Sequence, residues 1–302
     1  MPSLPPFDLP GVWLKGNLHT HTNQSDGAWP VEEVLRWHLE NGYDFVALTD
    51  HDRITIPKSV PAGLIHLRSA ELSVGRTRQG SPRHCLAIGL TATQIPSGLR
   101  DPGEAQAWVW EQGGFAAMAH PYWSGFSTDE LAELAGLQAV EIYNHGCAQE
   151  NDKGHAFAYW DDLLGRGRRI FGLAADDSHF RDSDSGGGWV VVRAAERSAT
   201  GVMGALRDGA FYSTQGPTIE GLSLDGGRLV VQTSACAAIY WIGPGRFGWS
   251  QHAPAGGTIQ QAEFRLKGKA EWFRATARSA DGRWAWTQAY QTREPRAAEI
   301  DS

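Results

Sequence analysis

A chain of 302 residues with 41% hydrophobic and 20% charged residues can bury a sizeable core and is expected to be globular. A formal net charge of −7 with no basic run argues against a nucleic-acid polymer as partner, although a small phosphorylated molecule stays possible where metal ions supply local positive charge. Three scattered cysteines (Cys85, Cys147, Cys236), a start (MPSLPPFDLPGVW) unlike a signal peptide, and no apolar run of about 18 residues lead to the expectation of a cytoplasmic protein with no disulfide framework and no membrane partner.

From Val12 to about Thr214, short apolar runs alternate with helix-like segments. VWLKGNLHT, DFVALTD, LIHLRSAEL, HCLAIGL, FAAMAHP, AVEIYNH and RIFGLAADDSH read as strands. PVEEVLRWHLENG, EAQAWVWEQGG, TDELAELAG and NDKGHAFAYWDDLLGRG read as helices, with Pro30 early and Gly42 late in the first, and Thr128 and Asp129 opening the third. Alternating strands and helices imply an α/β fold with a mainly parallel sheet, open or closed into a barrel. After Gly216 the pattern changes. IEGLSLDGGRLVVQT reads as a hairpin around DGG, and the aromatic, turn-rich stretches beyond it suggest a small β-sandwich-like module over 216–302, ending in a loose tail, REPRAAEIDS. The expected organisation is an α/β unit over 1–215 followed by that module.

The chemistry gathers at strand ends. His19 and His21 stand two residues apart, so in an extended strand their imidazoles project to one face, where they can chelate a metal. TDHD with His51, AEL with Glu71, AHP with His120, and DDSH with Asp177 and His179 each close an apolar run. In α/β barrels the C-terminal strand ends form the working face, so these groups are expected to converge. His84 begins its run instead. It joins the set if the segment around GRTRQGSPR folds Glu71 and His84 into an antiparallel hairpin. This inventory exceeds the needs of one ion and fits two or three divalent metals; nitrogen and oxygen ligands without cysteine suit zinc, manganese or iron.

Together, HTHTNQSDG, TDHD, AEL, His84, AHP and DDSH resemble the PHP (polymerase and histidinol phosphatase) metallohydrolases in order and spacing. The resemblance implies a distorted (β/α)7 barrel with a two- or three-metal site at its mouth. It implies one metal on His19, His21, Glu71 and Asp177. Glu71 would bridge to a second on His84 and His120, and Asp26, His51 and His179 would hold a third. In some members a histidine stands at the position of Asp26, which alters the charge and metal preference of that third site. YWDDLLGRGRRIFGLAADDSH, GAFYSTQGP and DGRWAW resemble more closely the carbaryl-hydrolase-like branch, which carries a C-terminal β module.

The expected activity is hydrolysis of small phosphate mono- or diesters by in-line attack of a metal-bound hydroxide, with a carboxyl ester or carbamate hydrolase as the alternative. A non-catalytic metal-binding protein and a carbohydrate-binding protein, the latter led by the tryptophans after Gly216, are rivals from another class. Asn144 and His145 end a run near the same mouth. They are candidates for substrate contact, ligand support or a helix cap, and His145 for a general acid. Arg76, Arg78 and Arg83 are candidate phosphate clamps or turn residues; Tyr122 and Trp123 are candidates for lining the pocket or packing the core. Glu141 reads as structural, Cys147 as a small buried hydrophobe, and His38, His66, His155 and His252 as ordinary residues. The oligomeric state cannot be read from the sequence.

Overall fold

The computed structural model describes residues 4–134, 136–266 and 270–291. The tail expected at 293–302 lies outside them. The first part of the chain forms β1 (Val12–Asn17), α1 (Val31–Glu40), β2 (Phe45–Leu48), β3 (Ile65–Arg76), β4 (Pro82–Ile88), α2 (Pro102–Glu111), β5 (Phe115–Met118), α3 (Thr128–Ala132), β6 (Ala139–Asn144), α4 (His145–Asn151), α5 (Phe157–Gly165) and β7 (Phe171–Ala175). FVAL and FAAM are buried at every position, as central strands must be when both faces are covered. In α1, Val31, Val34, Leu35 and His38 form the buried face, Glu32 and Glu33 sit at the positive end of the helix dipole, and Gly42 takes the left-handed conformation just past its end. In α3 the cap is Ser127, one residue before the expected start, in a reciprocal capping box with Glu130.

Three further elements were not evident in the sequence pattern: β8 (Trp189–Ala194), α6 (Ala199–Arg207) and β9 (Phe211–Thr214). The sheet is mixed where a mainly parallel one was expected. β1–β2–β3 and β5–β6–β7 are parallel, whereas β3–β4, β4–β5, β1–β8 and β8–β9 are antiparallel. β3 also runs five residues beyond Glu71, so this carboxylate sits within the strand. The expected hairpin forms, pairing Ser73 with His84. One core of Leu14, Phe45, Phe115, Leu173, Val192 and Phe211 draws on strands from β1 to β9. At β7, the Ala174 amide donates to Ser213 Oγ at 3.1 Å, and that hydroxyl donates to the Gly172 carbonyl at 2.9 Å. β7 and β9 thus meet through a side chain in place of a backbone ladder.

The remaining regular elements are strands: β10 (Ile219–Asp225), β11 (Arg228–Cys236), β12 (Ala238–Ile242), β13 (Gly248–His252), β14 (Ile259–Arg265), β15 (Trp272–Arg278), β16 (Trp284–Trp286) and β17 (Tyr290–Gln291). They do not stand apart from the first part. β16 pairs with β9, so the large sheet continues through β16, β15, β12 and β13, while β10, β11 and β14 form a separate three-stranded sheet. Leu222, Leu229 and Val231 pack with Ile239, Trp241 and Phe273 between these layers. Buried Arg274 makes a two-pronged ion pair with Asp161 of α5, with both contacts at 2.8 Å. The Gln288 amide satisfies both backbone groups of Gly172 in β7. No helix among the described residues is long and apolar enough to cross a membrane.

Candidate metal centre

β1 ends at Asn17, yet the chain stays extended beyond it. The Asp177 amide donates to the His19 carbonyl and the His21 amide to the Ser178 carbonyl, both at 2.9 Å. This pairing of the segments after β1 and β7 sets His19, His21 and Asp177 side by side. Glu71 arrives from β3 and is 1% exposed. His19 Nε2 lies 3.2 Å from His21 Nε2, 3.2 Å from Glu71 Oε2 and 3.1 Å from Asp177 Oδ1. His21 Nε2 lies 3.1 Å from each of the same two oxygens. Five of the six separations among these four atoms are thus 3.1–3.2 Å, close to the spacing of donors that share one ion at about 2.0 Å.

The other oxygen of Glu71 turns to a second group. Oε1 lies 3.0 Å from His84 Nδ1 and 3.1 Å from His120 Nε2, and those two nitrogens are 3.3 Å apart. A third group surrounds Asp26, whose Oδ2 lies 3.2 Å from His179 Nε2 and 3.7 Å from His51 Nε2. His51 Nδ1 reaches back to Glu71 Oε2 at 3.2 Å. Six histidines and three carboxylates therefore converge as three adjoining ligand sets around Glu71. The donor set fits divalent cations: nitrogen and oxygen donors face one another at separations that a shared ion explains.

Their supports fix the tautomers. His19 Nδ1 faces Glu141 Oε1 at 2.7 Å, and donating its proton there leaves Nε2 free as a ligand. The other oxygen of Glu141 accepts from the His120 amide at 2.7 Å and from Asn144 Nδ2 at 2.9 Å. His179 Nδ1 donates to the Asp177 carbonyl at 3.0 Å, which likewise frees Nε2. Asp50, buried beside Asp26, accepts from the Thr22 amide and from the hydroxyls of Thr22, Ser25 and Thr55. His120 and Asp177 have φ of +27° and +55°, positions where a side chain strains the backbone. Gly146 lies so close to Asp177 that a Cβ would fall 2.8 Å from its carbonyl oxygen.

The charge balance points the same way. Burial is the largest influence on each group and opposes its charge, but the neighbours prevail. The carboxylates of Asp177, Glu71 and Glu141 hold His19 well above its ordinary value, and Asp177 and Glu71 raise His21 to about 9. Against the same cost of burial, the facing histidines push Glu71 and Asp177 far below the carboxylate range. The cluster demands positive charge, which protons or metal ions can supply.

No family model matches the chain. A stretch of 40 residues, 13% of the chain, is 40% identical to the DNA polymerase/3′-5′ exonuclease PolX of Bacillus subtilis (strain 168), and the match spans only 7% of that protein's length. Among solved structures, a two-domain protein from Bacteroides vulgatus containing a predicted PHP-like metal-dependent phosphoesterase aligns over 93% of this chain and 95% of its own, with a TM-score of 0.53 at 15% identity. The chain shares its overall fold with that protein. An amidohydrolase from Chromobacterium violaceum with bound sulfate aligns over 56% of this chain and 89% of its own, with a TM-score of 0.43 at 15% identity.

Over the three ligand sets lies a cavity of about 550 Å³. Trp123 lines it, its ring 4.9 Å from that of His120. The other expected substrate residues are not brought there. Arg76 bonds the Gly80 carbonyl in its own hairpin, Arg78 pairs with Glu133, and Arg83 pairs with Glu130 at 2.8 Å. Tyr122 is exposed and absent from the lining. Neither expected catalytic residue reaches into the cavity. His145 has both ring nitrogens engaged, by the Tyr143 hydroxyl at 2.8 Å and the Ser183 carbonyl at 3.0 Å. Asn144 is buried; its oxygen caps α4 through the Cys147 amide, and its nitrogen donates to Glu141 and Asp177. Two contributors were missed. Glu141, read as structural, holds His19 directly. Arg181, two residues past His179, lines the cavity and bonds the Asp26 carbonyl.

Proposed function

We propose that this protein is a metal-dependent hydrolase of small phosphate mono- or diesters. The observation that carries the reading is Glu71, whose two oxygens face separate nitrogen ligand sets at the floor of an open cavity. His19, His21, Glu71 and Asp177 would hold one divalent ion, Glu71, His84 and His120 a second, and Asp26, His51 and His179 a third. When bound, such ions lower the pKa of a coordinated water toward neutrality and offset the charge that builds on a phosphoryl oxygen.

The chain's own groups set the geometry of the reaction. Glu141 orients His19, and through the His120 amide and Asn144 it ties two ligand sets together. Arg181 stands beside Asp26 and is placed to hold a phosphoryl oxygen with a charged N–H group. The abundance of carboxylates makes the protein-only cavity unfavourable to an anion, so substrate binding depends on the cations. The (β/α)7 description, the division into a hydrolase unit over 1–215 and a β module over 216–302, and kinship with the carbaryl-hydrolase-like branch belong to the same proposal. Arg181 in the lining supports a phosphoester over a neutral aryl carbamate.

The test is turnover of a chromogenic phosphate monoester, a phosphodiester and an aryl carbamate by metal-loaded protein, metal-stripped protein and His19→Ala. Phosphoester turnover confined to the loaded wild type is expected. Carbamate turnover alone, or undiminished phosphoester turnover by verified metal-free protein, overturns the proposal.

A further inference from the structure

The cavity has two chemically different ends. Arg181 is tied to Asp26, on the side of His51 and His179. Trp123 stands over His120, on the side of His84. Between them lies Glu71. The Trp123 indole N–H donates to Glu150 Oε2 at 2.9 Å, and Glu150 also lines the cavity, near the end of α4. This bond fixes an aromatic ring and a carboxylate as one unit beside His120. Glu150 Oε1 has no partner among the described hydrogen bonds.

A volume of about 550 Å³ is in the range that holds a drug-sized organic molecule and is far more than a bare phosphate fills. The substrate therefore brings a substantial alcohol portion. With its phosphoryl group over Glu71 and toward Arg181, that portion extends to Trp123 and Glu150. An indole face favours a flat or cyclic group, and a carboxylate repels a second anion while accepting hydrogen bonds from hydroxyl or ammonium groups.

Resting on the phosphoesterase reading, we propose that Trp123 and Glu150 form a specificity unit for the leaving alcohol. The unit selects phosphate monoesters of a cyclic, uncharged or cationic alcohol and rejects those whose alcohol carries its own negative charge. Trp123 supplies stacking for all of them; Glu150 supplies the discrimination by charge.

The experiment compares kcat/KM for phenyl phosphate, 4-carboxyphenyl phosphate and 4-(aminomethyl)phenyl phosphate in metal-loaded wild type, Glu150→Gln and Trp123→Leu. For a carboxylate a few ångströms from the substituent in a half-solvated cavity, the wild type is expected to disfavour the carboxylated ester about three- to tenfold against phenyl phosphate. Glu150→Gln should bring that ratio to within about twofold of unity, and Trp123→Leu should raise KM for all three esters together. Metal content and the urea midpoint, measured on each variant, show whether it is folded and loaded. Glu150 is exposed, so its variant is expected to match the wild type in both. Phenyl phosphate turnover with an unchanged ratio in Glu150→Gln overturns the specificity unit alone. No turnover of any ester by loaded wild type overturns the phosphoesterase reading and the specificity unit with it.

Discussion

Replacing Glu141 by glutamine tests whether the cluster is built to present unprotonated imidazole nitrogens to metal ions. The side chain is fully buried and keeps its shape, but one acceptor oxygen becomes an NH₂ donor. Glu141 accepts from three donors: His19 Nδ1 at 2.7 Å, and the His120 amide and Asn144 Nδ2 at 2.7 and 2.9 Å. An amide cannot serve both sides. If its NH₂ faces His19, the imidazole must move its proton to Nε2, the atom aimed at Glu71 and Asp177. If it faces the other way, the His120 amide and Asn144 lose their acceptor. A buried donor left unpaired costs about 1–3 kcal/mol, and losing the carboxylate behind a metal-bound histidine typically costs about 10–100-fold in metal affinity. Calorimetric titration of the apoprotein with zinc should therefore show the highest-affinity event weakened by about that factor, with the urea midpoint lowered and the fold retained. Zinc affinity within about twofold of wild type in a folded Glu141→Gln protein would refute the reasoning.

Other outcomes follow from the same geometry. Arg181→Ala should lower kcat/KM for a phosphoester about tenfold or more while leaving metal content unchanged, as checked by elemental analysis. His145→Ala should leave the pH dependence of kcat unaltered, because both ring nitrogens are already engaged by Tyr143 and Ser183; loss of one limb of the profile would restore His145 as a proton donor. His21 in metal-free protein has its pKa raised to about 9, so near pH 7.5 it still carries a proton that zinc must expel. Binding enthalpy should then vary with buffer ionisation enthalpy in the direction of proton release, and apparent affinity should rise toward pH 9. The same raised value gives the apoprotein a stability contribution present in full below about pH 6.5 and lost as pH climbs through about 9, which urea melts across that window can follow.

The convergence of the histidines and carboxylates was legible because most of them lie at punctuation points of the apolar pattern. Apolar runs closing on His or Asp put His19, His21, His51, His120, Asp177 and His179 just past β1, β2, β5 and β7, and the turn-rich link before His84 gave away the hairpin that brings it to Glu71 inside β3. Motif spacing carried no information about second partners. Glu141 sits inside AVEIYN, where a charged residue in a buried strand was the available signal, and nothing local says that it faces His19. Of the two readings open for Arg76, Arg78 and Arg83, the structure agrees with the turn one: they find carbonyl or carboxylate partners at the hairpin and around α3, whereas Arg181 is brought in by the turn after His179. WVVVRA and FYST passed unmarked because short strands without motif residues are weak signals. With them went the antiparallel β1–β8 and β8–β9 pairs and the β9–β16 pairing that joins the C-terminal strands to the rest.

The central claim is that Glu71 joins metal sites that carry out phosphoester hydrolysis, and one paired measurement on wild type and Glu71→Gln tests it most directly. Bound metal is counted by elemental analysis on the same samples assayed for phosphate release from a monoester. The account predicts at least about two equivalents of divalent metal and clear turnover in wild type, with both falling together in the variant. Wild-type turnover without bound metal, or a Glu71→Gln protein that keeps full activity, would contradict it.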